Sequence, residues 1–222
     1  LAATNYELTH ENEYFAIRTK AALLDITPLY KYIIEGPDAQ RFLDRMVTRN
    51  IGICKIGQVM YTPWCDEDGK QVDDGTIQRL SDQKFRITSA EPNLEWIEYN
   101  AAGMDLSILD DSYATAALAI QGPNSRTILN AVTSDILNNL KFFWMMETRF
   151  GDIPVSISRT GYTGDLGYEI WMDSKDALSV WDLLMDKGKP FGITPTGLQA
   201  LDMARIEAGL ILLDVDYISS RH

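Results

Sequence analysis

The chain has 222 residues, 45% hydrophobic and 23% charged, a composition typical of a globular protein. Its formal net charge of -12 argues against nucleic-acid binding, which needs a basic footprint. No apolar run approaches the roughly 20 residues of a membrane-spanning helix. With only two histidines, His10 and His222, a Ser-His-Asp triad or a histidine-built metal site is not expected, and Cys54 and Cys65 match no common zinc spacing. We therefore expect a cytoplasmic protein without metal, nucleic-acid or membrane partners.

Hydrophobic spacing along the chain predicts a mixture of helices and strands. The first apolar residues recur at helical spacing over 11–24, which predicts a helix ending near Asp25. An apolar strand is expected over 29–34, and residues 66–69 have the composition of a hairpin turn. Further strands are predicted over 58–64, 71–80, 84–89, 104–109, 116–120, 142–149, 153–158 and 168–172, and further helices over 94–101, 175–187 and 197–208.

A ten-residue sequence motif near the start of the chain occurs a second time. Residues 34–43 and 120–129 each read as the end of a strand, a Gly-Pro corner and a helix opened by Asp or Asn. Two such units that bracket several strands predict an α+β domain over 29–137 with internal pseudo-symmetry. The alternative is coincidence, because Gly-Pro is a common strand terminator.

A glycine-rich stretch at 158–171 predicts a strand, a turn with unusual dihedral angles and a second strand. A bulged hairpin would explain the glycines alone. The stretch also carries four side chains suited to a pocket: Arg159, Tyr162, Glu169 and Trp171. Packing against the core would explain the aromatic residues equally well. Glu169 either faces solvent or points inward and has a function in a pocket.

Two adjacent carboxylates, Asp73 and Asp74, lie on a predicted strand. Neighbouring strand residues point to opposite faces, so only one of the two can face a given cleft. The other would be costly to bury unless it is paired or hydrogen-bonded. The alternative is an acidic strand end without a function.

Taken together, these motifs resemble the T-protein of the glycine cleavage system, the tetrahydrofolate-dependent aminomethyltransferase family. The resemblance rests on residues 21–26, 36–39, 57–62, 68–74, 119–123, 159–164, 167–169 and 205–210. It implies an α+β folate-binding fold with two α+β domains built on antiparallel sheets. One would be an outer domain of residues 1–28 plus 138–222, and the other an inserted domain over 29–137 that carries Asp74. The family's C-terminal β-barrel domain is missing from this chain, so we expect a truncated protein.

The resemblance also implies the reaction and its residues. Asp74 corresponds to the family's catalytic carboxylate, and tetrahydrofolate, the co-substrate, would be bound by Tyr61, Tyr162 and Glu169. Arg159 and Trp171 are candidates to line the same site, either by touching the ligand or by bracing the turn. The implied function is transfer of a methyl or aminomethyl group from a small amine, sulfonium or ether donor to tetrahydrofolate.

Two departures from the family pattern bear on the donor. Leu201 stands where members that act on glycine usually carry an arginine, and the region 88–93 is altered. Both resemble dimethylsulfoniopropionate demethylase and the folate domains of dimethylglycine- and sarcosine-oxidising enzymes. The alternatives are a glycine-cleavage T-protein proper, whose partner would be a lipoyl carrier protein, and a folate-binding module without catalysis.

Overall fold

The computed structural model describes residues 2–135 and 137–221, which form six helices and eleven strands. In chain order these are α1 (His10–Thr19), β1 (Ala21–Asp25), β2 (Tyr30–Glu35), α2 (Ala39–Met46), β3 (Val59–Cys65), β4 (Gln71–Arg79), β5 (Lys84–Ser89), α3 (Leu94–Ala101), β6 (Ser107–Asp110), β7 (Thr115–Gln121), α4 (Ser125–Asn130), β8 (Met145–Phe150), β9 (Ile153–Ser158), β10 (Gly167–Asp173), α5 (Ala177–Gly188), β11 (Ile193–Pro195) and α6 (Leu198–Glu207). None of the helices in these two ranges is long and apolar enough to cross a membrane.

The chain divides into two compact units. Leu1–Pro28 and Ala114–Leu210 form the first, here called the six-stranded unit, and Leu29–Tyr113 with Ile211–His222 form the second, the five-stranded unit. The lower boundary agrees with the expected start of the inserted domain at residue 29. The upper boundary lies at 113/114 instead of 137/138, because β7 pairs with β1 and β10 of the six-stranded sheet. The expected outer domain over 138–222 also differs, because Ile211–His222 belong to the five-stranded unit.

The six-stranded sheet has the order β11-β1-β7-β10-β9-β8, and its pairs are antiparallel except for the parallel β1–β11 pair. Both faces are covered, because successive residues of β1 enter different cores. Leu23 packs with residues of α4 and α5, whereas Ala22 and Leu24 pack with residues of α1 and α6. A helix predicted to run through residue 24 was therefore wrong beyond Thr19: pairing on both sides turns 21–25 into a central strand.

The five-stranded sheet is antiparallel throughout, with the order β3-β4-β5-β2-β6. Its core is built from α2, α3 and one face of the sheet, where Phe42 and Ile97 pack in a cluster with Trp64. The β3–β4 hairpin turns at residues 66–70, and Gly69 takes a φ of +79° there, as its position in the turn predicts.

The two copies of the repeated motif have the same local structure but lie in different units. In the first copy β2 leads through Gly36 and Pro37 into α2, and the amide of Ala39 donates to the carbonyl of Gly36 at 3.1 Å. In the second copy β7 leads through Gly122 into α4 with the equivalent bond at 3.0 Å. The repeat is therefore a feature of both units and not an internal symmetry of one domain.

Candidate functional site

Glu169 lies on β10, opposite Ser158 of β9, and its carboxylate is held by a chain of donors. Thr160 donates to Oε2 at 2.7 Å, and Ser158 lies 3.5 Å from the same oxygen. The Ser158 and Thr160 hydroxyls are 2.7 Å apart, and the indole Nε1 of Trp171 donates to Ser158 Oγ at 3.3 Å. An indole N–H can only donate. The protons of this group, here called the Glu169 cluster, therefore run from Trp171 through Ser158 and Thr160 to the carboxylate.

The Glu169 cluster leaves one carboxylate oxygen for a ligand. Within the described residues the Thr160 and Ser158 hydroxyls both lie against Oε2, and no hydrogen bond reaches Oε1. Burial raises the pKa of Glu169, and the hydrogen bonds from Thr160 and Ser158 oppose that rise. The site thus presents a partly buried carboxylate that is oriented by the protein on one side and suited to N–H donors on the other.

The glycines of the stretch 158–171 make room for a side chain of β7. Gln121 is buried between Gly161 and Gly167, where an added Cβ would come within 2.2 Å and 2.0 Å of its Oε1. Thr163 donates to that oxygen at 2.9 Å. Of the three glycines only Gly164 has a positive φ, +74°. The expected unusual dihedral angles therefore occur at one position, and the other two glycines are needed for close packing.

The other predicted residues of this stretch have different surroundings. Trp171 is buried and braces Ser158, while Arg159 donates from Nη1 to the carbonyl of Leu140 at 3.2 Å. Tyr162 lies half-buried in the turn. Leu201, which replaces an arginine of the family pattern, packs partly buried against the core shared by α1 and α6.

In the five-stranded unit Asp73 and Asp74 face opposite sides of β4, as adjacent strand residues must. Asp73 is fully buried. It accepts from Asn93 Nδ2 at 2.6 Å and from the Asp74 backbone amide at 2.7 Å, and Asn93 Oδ1 in turn accepts from Trp64 Nε1 at 3.4 Å. Burial raises the pKa of Asp73 to about 6, against the opposing effect of these hydrogen bonds. The inward carboxylate of the pair is therefore Asp73.

Asp74 is half-buried and shares a face of the hairpin with Tyr61. Asp74 is paired with Pro63 and Thr76 with Tyr61, so the tyrosine is a diagonal neighbour of the carboxylate. Tyr61 is 38% exposed. Asp74 Oδ1 accepts from the Tyr217 hydroxyl and, at 3.3 Å, from Gln71 Nε2. Tyr61, Gln71, Asp74 and Tyr217 are here called the Asp74 cluster.

The sequence motifs associate Asp74 with Tyr61 and Glu169 with its glycine-rich turn, but the groups that hold both carboxylates are not apparent from those motifs. Thr160 lies inside the recognised motif, and its position two residues after Ser158 is the one available signal. Asn93 and Tyr217 are 20 and 143 residues from the carboxylates they contact, so no local pattern links them. No group of three or more His, Cys, Asp or Glu side chains that could hold a metal occurs in residues 2–135 and 137–221.

Comparison with known proteins gives one family and several relatives. Residues 3–221 match the family model described as the GCVT N-terminal domain. A trimethylamine-oxide aldolase from Ruegeria pomeroyi is 41% identical over 216 residues, which cover 92% of this chain and 27% of that protein. An aminomethyltransferase from Halothermothrix orenii is 37% identical over 214 residues, which cover 95% of this chain and 60% of that protein.

Solved structures agree with these matches. The glycine cleavage system aminomethyltransferase T from Bartonella henselae has a TM-score of 0.84 at 28% identity, covering 96% of this chain and 57% of that one. A chain of the heterotetrameric sarcosine oxidase from Corynebacterium sp. U-96 shares the fold, with a TM-score of 0.63 at 16% identity. The chain described here spans 27% and 60% of the lengths of the two curated relatives.

Proposed function

Because the chain belongs to the GCVT N-terminal domain family, we propose that it forms the tetrahydrofolate-binding part of a one-carbon transferase. The transferred unit is a methyl or aminomethyl group, taken from a small amine, sulfonium or ether donor in a cytoplasmic setting. The α+β fold with mainly antiparallel sheets, expected from the sequence motifs, is confirmed by the likeness to aminomethyltransferase T.

The one-sided anchoring of Glu169 is the observation that carries this proposal. The pterin edge of a folate offers adjacent N–H donors, and a carboxylate can accept two of them in a charge-assisted pair. Glu169 fits, because its Oε1 has no hydrogen bond within the described residues and its Oε2, which accepts from Thr160, has a further lone pair. Tyr162, in the turn beside this strand, supplies a ring and a hydroxyl for the pterin.

Asp74 supplies the negative charge near the reacting atoms. Tetrahydrofolate brings to the reaction an amine nitrogen, N5, that is a neutral nucleophile at neutral pH. A positioned carboxylate stabilises positive charge that develops on the one-carbon unit during transfer. Asp74 is suited to this role, because its Oδ1 is held by Tyr217 and Gln71 and its Oδ2 has no hydrogen bond in the described ranges. Tyr61, on the same face, offers a ring for a ligand to pack against.

The more specific part of the proposal is the identity of the one-carbon donor. A relative named for trimethylamine oxide and relatives named aminomethyltransferase both match this chain. Leu201 favours a small methylated donor over an aminomethyl-lipoyl carrier protein, because an arginine at this position is the pattern of members that act on glycine. A lipoyl carrier protein remains the partner in the alternative function.

Titration of the protein with tetrahydrofolate tests folate binding. We expect saturable binding by the parent, and at least about tenfold weaker binding by Glu169→Gln, since a hydrogen bond to a charged group contributes about 1.5–3 kcal/mol. Glu147→Gln, an exposed position on the edge strand β8 of the same sheet, is the matched control and should bind as the parent does. Absence of saturable binding, or equal affinities of the two variants, would contradict the assignment.

Turnover assays test the chemistry. Asp74→Asn should bind tetrahydrofolate with unchanged affinity and lose at least about 100-fold in turnover, the order of magnitude for removal of one electrostatic contact to a transition state. Trimethylamine N-oxide, methylated glycines, a sulfonium donor and an aminomethyl-lipoyl carrier protein are compared as donors. Turnover with the carrier protein alone would establish the T-protein alternative, and binding without turnover on any donor would establish a non-catalytic module.

A further inference from the structure

The segment 211–221 lies along the part of β4 that carries Asp74. β5 pairs with β4 only from Gly75 onward, so residues 71–74 extend beyond it. The segment contacts this stretch: the Ser220 amide donates to the Gln71 carbonyl at 3.0 Å, and Ser219 Oγ donates to the Val72 carbonyl at 2.7 Å. The N-terminal part of β4 is therefore covered by residues from more than 140 positions later in the chain.

The same segment holds a closed turn that presents Tyr217. The Asp214 amide donates to the Tyr217 carbonyl at 2.8 Å, and the Leu212 amide donates to Asp216 Oδ2 at 2.8 Å. Leu213, in the same turn, is buried. Tyr217 therefore lies in a turn that is held by internal hydrogen bonds.

The Tyr217 hydroxyl points at the candidate catalytic carboxylate. It donates to Asp74 Oδ1, the same oxygen that accepts from Gln71 Nε2. Burial, followed by the nearby Asp74 carboxylate, raises the pKa of Tyr217 above its ordinary value. The phenol is therefore protonated and a hydrogen-bond donor at neutral pH.

We propose that Tyr217 is a positioning residue that holds Asp74 by Oδ1 and leaves Oδ2 directed to the reacting one-carbon unit. This rests on the proposed function of Asp74. A half-buried carboxylate without this bond could turn about its side-chain torsions, and a small misplacement of a catalytic group costs much of the rate. The group that fills this role lies 143 positions after Asp74 in the chain.

The experiment compares Tyr217→Phe with Ser219→Ala, which removes another hydrogen bond of the same segment without contact to Asp74. For Tyr217→Phe we expect kcat to fall about tenfold or more while the tetrahydrofolate Kd changes less than about twofold. Ser219→Ala should keep both values near those of the parent. Equal kcat losses in the two variants, or parallel losses of kcat and folate affinity in Tyr217→Phe, would overturn the positioning role.

A second measurement needs no turnover. The Tyr217 hydroxyl proton, assigned by its absence in Tyr217→Phe, should exchange slowly enough to be seen by NMR in the parent and in Ser219→Ala. It should be lost in Asp74→Ala, which removes the acceptor. Persistence of the signal in Asp74→Ala would refute the contact itself. A parent without folate turnover but with this signal would instead refute the proposed function, and the contact would stand as a structural bond.

Discussion

Asp73 should make the free energy of unfolding fall as the pH rises through about 6. Its carboxyl is fully buried beside Asn93, and its pKa is raised from 3.8 to about 6. The folded state therefore binds the proton more tightly than the unfolded state. The stabilisation is complete below the unfolded value and is lost as the pH rises through the folded value. With these two values, the loss between about pH 4.5 and about pH 7 is about 2 kcal/mol.

Asp73→Asn removes this titration and in addition lowers the free energy of unfolding by an amount that does not depend on pH. The variant's amide oxygen can still accept from the Asp74 backbone amide, but its NH2 group would meet the Asn93 Nδ2 donor. We expect about 1–3 kcal/mol of destabilisation from that lost acceptor, independent of pH. The parent's advantage over the variant should therefore shrink by about 2 kcal/mol between about pH 4.5 and about pH 7.

Urea unfolding followed by tryptophan fluorescence at a series of pH values measures this difference. Asp68→Asn, in the exposed turn of the same hairpin, controls for a general effect of removing a negative charge. A difference between parent and Asp73→Asn that stays constant, or that grows with pH, would refute the argument that the buried carboxyl takes up a proton on folding.

Two further predictions concern the Glu169 cluster and its turn. Thr160→Val keeps the shape of the side chain but removes the donor to Glu169 Oε2, so tetrahydrofolate should bind about tenfold more weakly by titration. Ser156→Ala, on β9 four residues before Thr160, is its control, and equal affinities of the two variants would contradict the role of Thr160. Gly167→Ala would place a Cβ against Gln121 and should cost about 1–3 kcal/mol in urea unfolding. An unchanged free energy of unfolding in Gly167→Ala would contradict this close packing.

Much of the fold was predictable because its signals are local. The alternation of strands β3 to β5, the turn at Gly69 and the helix Leu94–Ala101 follow from spacing and turn chemistry alone. The strand Ala21–Asp25 was mistaken for the end of a helix, because its apolar residues suit either period and only pairing on both sides decides between them. The boundary at 113/114 was missed for the same reason: the partners of β7 lie far away in the sequence.

By itself the sequence determined which carboxylates occupy strands beside turns, namely Asp74 and Glu169, and the family whose motifs surround them. The tertiary structure decided how each is held. Thr160 anchors one oxygen of Glu169, and Tyr217 anchors one oxygen of Asp74 across 143 residues. A hydrogen bond depends on distance and direction between atoms that the fold brings together, and residue spacing along a chain carries neither for groups so far apart.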